Sequence, residues 1–203
     1  MALQKFDELK SLPFEQYFGE MRLSNTEKKL RISLAEKLER EFFFVFDLIS
    51  YYLDADIEDI DLIVKNASTL YKRAIFDYVV MDKVLENYID KICKEIVKVT
   101  FKHKDDSYYT SDDRATYIAE NEANTVMNYE QLQEALASGK TKKTWFSVED
   151  NNVRDTHVLV DGETKPISEP FIVGGSKLMY PKDTSLGASL TEIINCRCSV
   201  QYS

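Results

Sequence analysis

The chain has 203 residues, of which 44% are hydrophobic and 30% charged, a composition ordinary for a globular protein of one or two domains. Its net charge of −9 lies entirely in residues 1–139, since residues 140–203 hold 8 basic and 8 acidic side chains. This acidic first part disfavours nucleic-acid binding except through a local patch. The sequence contains no apolar run of about 18 residues, so no membrane-spanning helix is predicted.

The opening segment, MALQKFDELK, lacks the apolar stretch of a secretory signal. We therefore expect the chain to be made and folded in a reducing cytoplasm. Its three cysteines, Cys93, Cys196 and Cys198, do not indicate a disulfide framework.

Four helices are predicted in the first two thirds of the chain. The first begins at Ser24, because Ser24-x-x-Glu27 is a capping-box pattern and apolar residues then recur every three or four positions. Those residues are Leu30, Leu34, Leu38, Phe42, Val45, Ile49 and Leu53. A short helix over about 57–66 and a longer one over about 68–100 follow, and the polar segment 102–113 is predicted to be a loop.

The fourth helix covers about 113–137, with Ser111 or Asp112 as its N-cap and Gly139 at the C-cap position. Its apolar face includes one carboxylate, Glu122. A carboxylate that is buried among apolar neighbours needs a partner, so Glu122 is a candidate for a structural or functional role.

Short strands and turns are predicted after Gly139, where most of the prolines lie. Asp161-Gly162 is a turn signal between two strands, and Pro166 places the second of them at a sheet edge. The candidate strands are 144–148, 158–160, 164–167, 171–173, 178–180 and 196–202. The predicted fold class is therefore α+β: a long-helix N-terminal half, followed by a small, mostly antiparallel sheet packed on a helix.

Two features near the start of this sheet have ordinary interpretations. Lys140, Lys142 and Lys143 form a dense basic run, which we interpret as a solvated helix end. Trp145 lies in the strand that follows and is interpreted as a core anchor.

An ordered set of motifs spans the C-terminal part of the chain. It consists of Arg114, Glu122 and Asn128 on the fourth helix, then K-x-W at 143–145, Asp150, Val153-Arg154-x-x-His157, Asp161-Gly162, Phe171, Tyr180-Pro181-x-Asp183 and Asn195-Cys196-Arg197-Cys198. This order and spacing resemble the phage head-morphogenesis family, the Mu F-like minor head proteins, over about 114–203. The one departure is Asn121 before Glu122, where that family usually has threonine. We therefore predict a Mu F-like domain over 111–203, after a helical region over 1–110.

The resemblance implies a low-copy component of the virion, located in the capsid interior or at the portal and present in the host cytoplasm during assembly. The implied partners are the portal protein and other capsid components, with DNA contacted only locally. It implies a non-enzymatic role in capsid assembly and in DNA packaging or delivery, with no membrane and no small-molecule substrate. Two alternatives stay open: a nuclease-type effector delivered with the genome, and an adaptor that binds a host protein. Some relatives carry a toxin domain after this module, which we do not expect here.

A set of charged side chains is the first candidate site. Glu122, Arg154 and Asp155, together with His157, have the residue types of phosphodiester chemistry or of nucleic-acid contact. The interpretation that we favour is a buried ionic network that fixes helix to sheet, with a bidentate Glu122–Arg154 pair at its centre.

Cys196, Cys198 and His157 form the second candidate site. Two cysteines at i and i+2 on a strand point to one face, and with His157 they supply three soft ligands for zinc. The alternative is a pair of small buried thiols that pack under the sheet. A structural zinc usually takes four ligands, and Asp155, Asp161 and Asp183 are the only guesses for the fourth. Zinc is therefore a candidate cofactor, and no other cofactor is predicted.

Overall fold

The computed structural model describes residues 13–57 and 59–203, so the opening segment, in which the sequence predicts no secretory signal, lies outside the described residues. The helices are α1 (Phe14–Gly19), α2 (Asn25–Asp54), α3 (Ile60–Ile75), α4 (Lys83–Lys102), α5 (Asp112–Ala137), α6 (Asp155–Val158) and α7 (Leu190–Ile193). The strands are β1 (Lys142–Phe146), β2 (Thr164–Pro166), β3 (Phe171–Val173), β4 (Ser176–Leu178) and β5 (Ser199–Tyr202). Long helices followed by small antiparallel sheets confirm the α+β prediction.

The chain forms two compact units. Among the described residues, the first comprises Pro13 and Leu34–Glu120, and the second comprises Phe14–Ser33 and Asn121–Ser203. Helices α2 and α5 each contribute residues to both units. A separate domain over 111–203 stays a prediction.

The N-terminus of α2 is a reciprocal capping box. The Ser24 amide donates to Glu27 Oε2 over 2.7 Å, and the Glu27 amide donates to Ser24 Oγ over 3.3 Å. The predicted start of this helix is therefore confirmed. Most of the predicted apolar face is buried, with Leu30 exposed and Leu53 half-buried at its two ends.

The boundary between α3 and α4 differs from the prediction. Instead of ending at residue 66, α3 continues to Ile75, and α4 begins only at Lys83. Asp82 sets the start of α4, because its side chain accepts a hydrogen bond from the Leu85 amide, and Asp59 caps the start of α3 in the same way. The predicted break falls inside α3, where Ser68 is buried and donates to Asp90 of α4 over 2.7 Å.

Arg114, near the start of α5, is buried in the first unit. Its guanidinium donates to Thr100 Oγ1 over 2.6 Å and to the Tyr109 carbonyl, and it lies 4.9 Å from the ring centre of Phe46. Burial lowers the pKa of Arg114 to about 10, so the side chain stays charged at neutral pH. Arg114 therefore holds the end of α4 and a single-turn 3₁₀ helix, Ser107–Thr110, in place.

The second unit contains a three-stranded antiparallel sheet in the order β2-β1-β5 and a separate β3-β4 hairpin. Strand β2 is an edge strand, as Pro166 indicates. The hairpin turns at Gly174 and Gly175, which have φ of 56° and 81°.

Four of the predicted strands differ from the structure, and the one predicted at 144–148 lies two residues earlier, at Lys142–Phe146. Residues 158–160 do not form a strand, because α6 ends there, and Asp161-Gly162 connects that helix to β2 instead of closing a hairpin. The strand predicted at 178–180 lies earlier, at Ser176–Leu178, and the strand predicted at 196–202 begins only at Ser199. Short segments with alternating residues thus indicated extended chain but not its hydrogen-bond partners.

The core of the second unit surrounds Trp145, whose side chain is 0% exposed. Its ring meets that of Phe171 edge-on at 5.2 Å and that of His157 at 5.8 Å. The remaining members are Val160, Val173, Leu178, Cys196, Cys198 and Val200. The interpretation of Trp145 as a core anchor is confirmed.

Among the described residues, none of the helices is both long enough and apolar enough to cross a bilayer.

Candidate functional site

The structure brings His157, Cys196 and Cys198 together. His157 lies on α6, and the two cysteines lie in the extended segment before β5. His157 Nδ1 is 3.3 Å from Cys198 Sγ and 3.6 Å from Cys196 Sγ, and all three donor atoms lie within 4.8 Å of one another. The three side chains are buried, so the soft donors converge in a place that bulk water does not reach.

Glu192, on α7, completes this cluster from the other side of the imidazole. His157 Nε2 lies 3.1 Å from Glu192 Oε2, and Thr156 Oγ1 donates to the same oxygen over 2.7 Å. Gly174 leaves room for the carboxylate, because a Cβ at that position would collide with Glu192. The sequence did not indicate Glu192, which stands in a one-turn helix with no motif around it.

Arg197 lies between the two cysteines and forms ion pairs away from the His157 ring. Its guanidinium binds Asp150 and Glu20. The alternation of an extended chain explains this arrangement, because residues i and i+2 face one way and residue i+1 the other. The ion pairs hold the cysteine segment from its outer face.

The cluster redistributes protons among its members. Burial would lower the pKa of His157, but its hydrogen bond to Cys196 raises that pKa. Burial would raise the pKa of the Cys196 thiol, but hydrogen bonds from Cys198 and His157 lower it. The hydrogen bond between Cys198 and Cys196, together with burial, raises the pKa of the Cys198 thiol. The directions of these shifts make Cys196 the more readily ionised of the two sulfurs, as a soft cation or a nucleophile requires.

The charged set that the sequence singled out is less compact than expected. Glu122 is buried, as its position on the helix indicates, whereas Asp155 is exposed at the start of α6 and lies outside any buried network. The Arg154 guanidinium donates to the Ile194 carbonyl, in the segment that leads to Cys196. The Glu122–Arg154 pair stays a prediction.

The other two aspartates suggested as a fourth metal ligand are hydrogen-bonded to backbone amides. Asp161 Oδ1 accepts from the Ser147 amide over 2.6 Å. Asp183 accepts from the amides of Met179 and Ser185, each over 2.8 Å. Both carboxylates therefore have a local role in their own turns.

A buried polar network that the sequence did not indicate supports the cysteine segment. Arg31 Nε donates to Asn124 Oδ1 over 3.2 Å, and Arg31 Nη2 donates to Asn128 Oδ1 over 2.9 Å. The two amides in turn donate to the carbonyls of Cys196 and Pro181, each over 3.1 Å. Asparagines four residues apart on α5 were a signal, but Arg31 lies too far away in sequence to be linked to them.

Lys143 also departs from the prediction. Lys140 and Lys142 are exposed, as predicted, although Lys142 already belongs to β1. The interpretation is wrong for Lys143, whose side chain is buried in that strand. Its Nζ donates to the Met179 carbonyl over 2.7 Å and lies 5.1 Å from the ring centre of Phe171. Burial lowers the pKa of Lys143 to about 8.

The motifs from Lys143 to Cys198 are gathered in the second unit, which has an α+β fold. A model of the Phage Mu protein F like family matches residues 84–201, more than half of the chain, and the chain therefore belongs to that family. The match begins about 30 residues before the resemblance noted in the sequence and includes nearly all of α4. No curated protein and no solved structure matches the chain.

Proposed function

We propose that the chain is a non-enzymatic minor head protein that acts at the portal, in capsid assembly and in DNA packaging or delivery. The observation that carries this proposal is the family match over residues 84–201. Such a protein is located in the virion after it has folded in the host cytoplasm, and its partners are the portal protein and other capsid components.

The buried position of the histidine supports a non-enzymatic role. The His157 side chain is 1% exposed, and its two ring nitrogens face the cysteines and Glu192. A nuclease needs a general base within hydrogen-bond reach of its substrate, and both nitrogens of this ring already have partners inside the protein. The set of Glu122, Arg154 and His157 thus favours structure over catalysis.

A pair of exposed aromatic side chains supports protein binding by the first unit. Phe44 and Tyr51 of α2 are 68% and 67% exposed, and their separation of seven residues places them on one face of the helix. Exposed aromatic residues are typical of the centres of protein interfaces. Asp47 and Asp54 are exposed beside them, so the partner surface should be apolar with a basic rim, which disfavours DNA as the occupant.

Co-purification with the portal protein of the same phage tests this proposal. The wild-type chain, co-expressed with that protein, should elute with the portal ring. The double variant Phe44→Ala/Tyr51→Ala should weaken binding by more than about tenfold, since interface aromatics commonly contribute 2 kcal/mol or more each.

A matched variant, Glu36→Ala, changes another exposed residue of α2 and should bind as the wild type does. Failure of the wild-type chain to bind the portal protein or any other capsid component would contradict the proposal. Binding to a host protein in their place would favour the adaptor alternative.

A further inference from the structure

The hydrogen-bond geometry around His157 leaves one sulfur without a partner on the ring. Glu192 accepts the proton of Nε2, so Nδ1 alone faces the two sulfurs, at 3.3 and 3.6 Å. Nδ1 either accepts one S–H bond or donates one N–H bond, and in both states it serves only one of the two sulfurs well. The other sulfur is served only by its neighbouring sulfur, whereas a cation between the three donors engages all of them at once.

We propose that His157, Cys196 and Cys198 bind one Zn²⁺ ion. Zn–S bonds of about 2.3 Å and Zn–N bonds of about 2.0–2.1 Å, set at tetrahedral angles, place nitrogen and sulfur ligands about 3.6 Å apart. The separations of Nδ1 from the two sulfurs are close to this value. The ligand types are those that zinc prefers.

The surroundings of the imidazole match those of a metal ligand. Histidines that bind zinc commonly donate their second N–H group to a carboxylate, which fixes the ring and makes the ligand nitrogen more basic. Glu192 stands at that position, and Thr156 Oγ1 holds the same carboxylate oxygen.

A small cavity beside the three proposed ligands offers space for a fourth ligand. This cavity of about 20 Å³ is bordered by the three proposed ligands and by Arg154 and Asn195, among others. It is large enough for a single water molecule. We assign the fourth ligand to that water, because Asp155 is exposed and Asp161 and Asp183 bind backbone amides.

The ion would join α6 to the segment before β5, which are about 40 residues apart in sequence. A zinc ion that binds the folded unit and not the unfolded chain stabilises the folded unit. This inference does not depend on binding to the portal, so either proposal can fail without the other.

Metal analysis of the full chain, purified under reducing conditions and reconstituted with Zn²⁺, is the test. The wild type should hold about one zinc per chain, and adding a chelator should lower its midpoint of thermal unfolding. His157→Asn, Cys196→Ser and Cys198→Ser should each lose the zinc. Cys93→Ser, which changes a buried cysteine of α4 in the first unit, should keep it.

Glu192→Gln leaves all three ligands intact and should weaken zinc binding by about 10–100-fold, as measured by competition with a chromophoric chelator. Because this variant keeps the ligands, it tests the site even if a cysteine variant does not fold. Cobalt in place of zinc should give a thiolate-to-metal charge-transfer band in wild type and in Cys93→Ser. Less than about a tenth of a zinc per reconstituted wild-type chain, with the two thiols equally reactive with and without Zn²⁺, would overturn the proposal.

Discussion

Trp145→Ala should lower the free energy of unfolding of the second unit by about 3–5 kcal/mol, the usual cost of removing a large buried aromatic side chain. The indole is fully buried between Phe171 and His157, and β1 carries it at the centre of the three-stranded sheet. Its removal leaves a cavity next to the His157 cluster. Hydrogen–deuterium exchange followed by mass spectrometry should show faster exchange in β1 and β5.

Trp145→Phe is the control for this prediction. It keeps an aromatic ring against Phe171 and should cost less than half as much as the alanine variant, because most of the cavity is filled. Equal losses in the two variants, or an alanine variant as stable as the wild type, would contradict the central position of Trp145 in the core.

Arg31→Met should destabilise the second unit by about 3–5 kcal/mol. The guanidinium donates to Asn124, Asn128 and Gln131, and each buried acceptor that loses its donor costs about 1–3 kcal/mol. Burial lowers the pKa of Arg31 to about 10, so its charge persists at neutral pH. Urea unfolding followed by Trp145 fluorescence measures the loss, since Trp145 is the single tryptophan of the chain and lies in this unit.

Arg40→Met removes an exposed arginine from the same helix and should change the stability by no more than about 0.5 kcal/mol. Asn124→Ala should give part of the Arg31 effect, because this amide also binds the Cys196 carbonyl. If Arg31→Met and Arg40→Met behaved alike, the buried network would not hold α2 and α5 together within the second unit.

Local signals predicted the features of the fold that depend on neighbouring residues. The Ser24–Glu27 capping box fixed the start of α2, and Ser111 accepts from the Arg114 amide at the start of α5. Gly139, with φ of 70°, ends that helix as expected. Residue pattern alone also identified the family and the three donors of the His157 cluster.

The errors arise where a local cap is masked by continuing apolar periodicity, or where a contact distant in sequence decides the outcome. Apolar periodicity continues through Ser68 and through residues 76–82, and the cap at Asp82 marks where α4 begins. Lys143 is predicted to be solvated, because nothing in its own segment indicates that it binds the Met179 carbonyl.

The sequence also did not predict the main polar contacts of the site, because these contacts join residues that are distant in sequence. Glu192 and Arg31 carry no sequence signal, since their partners lie 35 residues or more away. Caps and turns depend on residues that are close in sequence, whereas buried polar pairs form between residues that only the folded chain brings together.

We expect this Phage Mu protein F like chain to be a component of the phage head, and the composition of purified virions tests this expectation most directly. Quantitative mass spectrometry of gradient-purified particles should detect the chain in heads, at fewer copies than the major capsid protein and in constant proportion to the portal protein. Its absence from both virions and procapsids, while it is abundant in infected cells, would contradict the account.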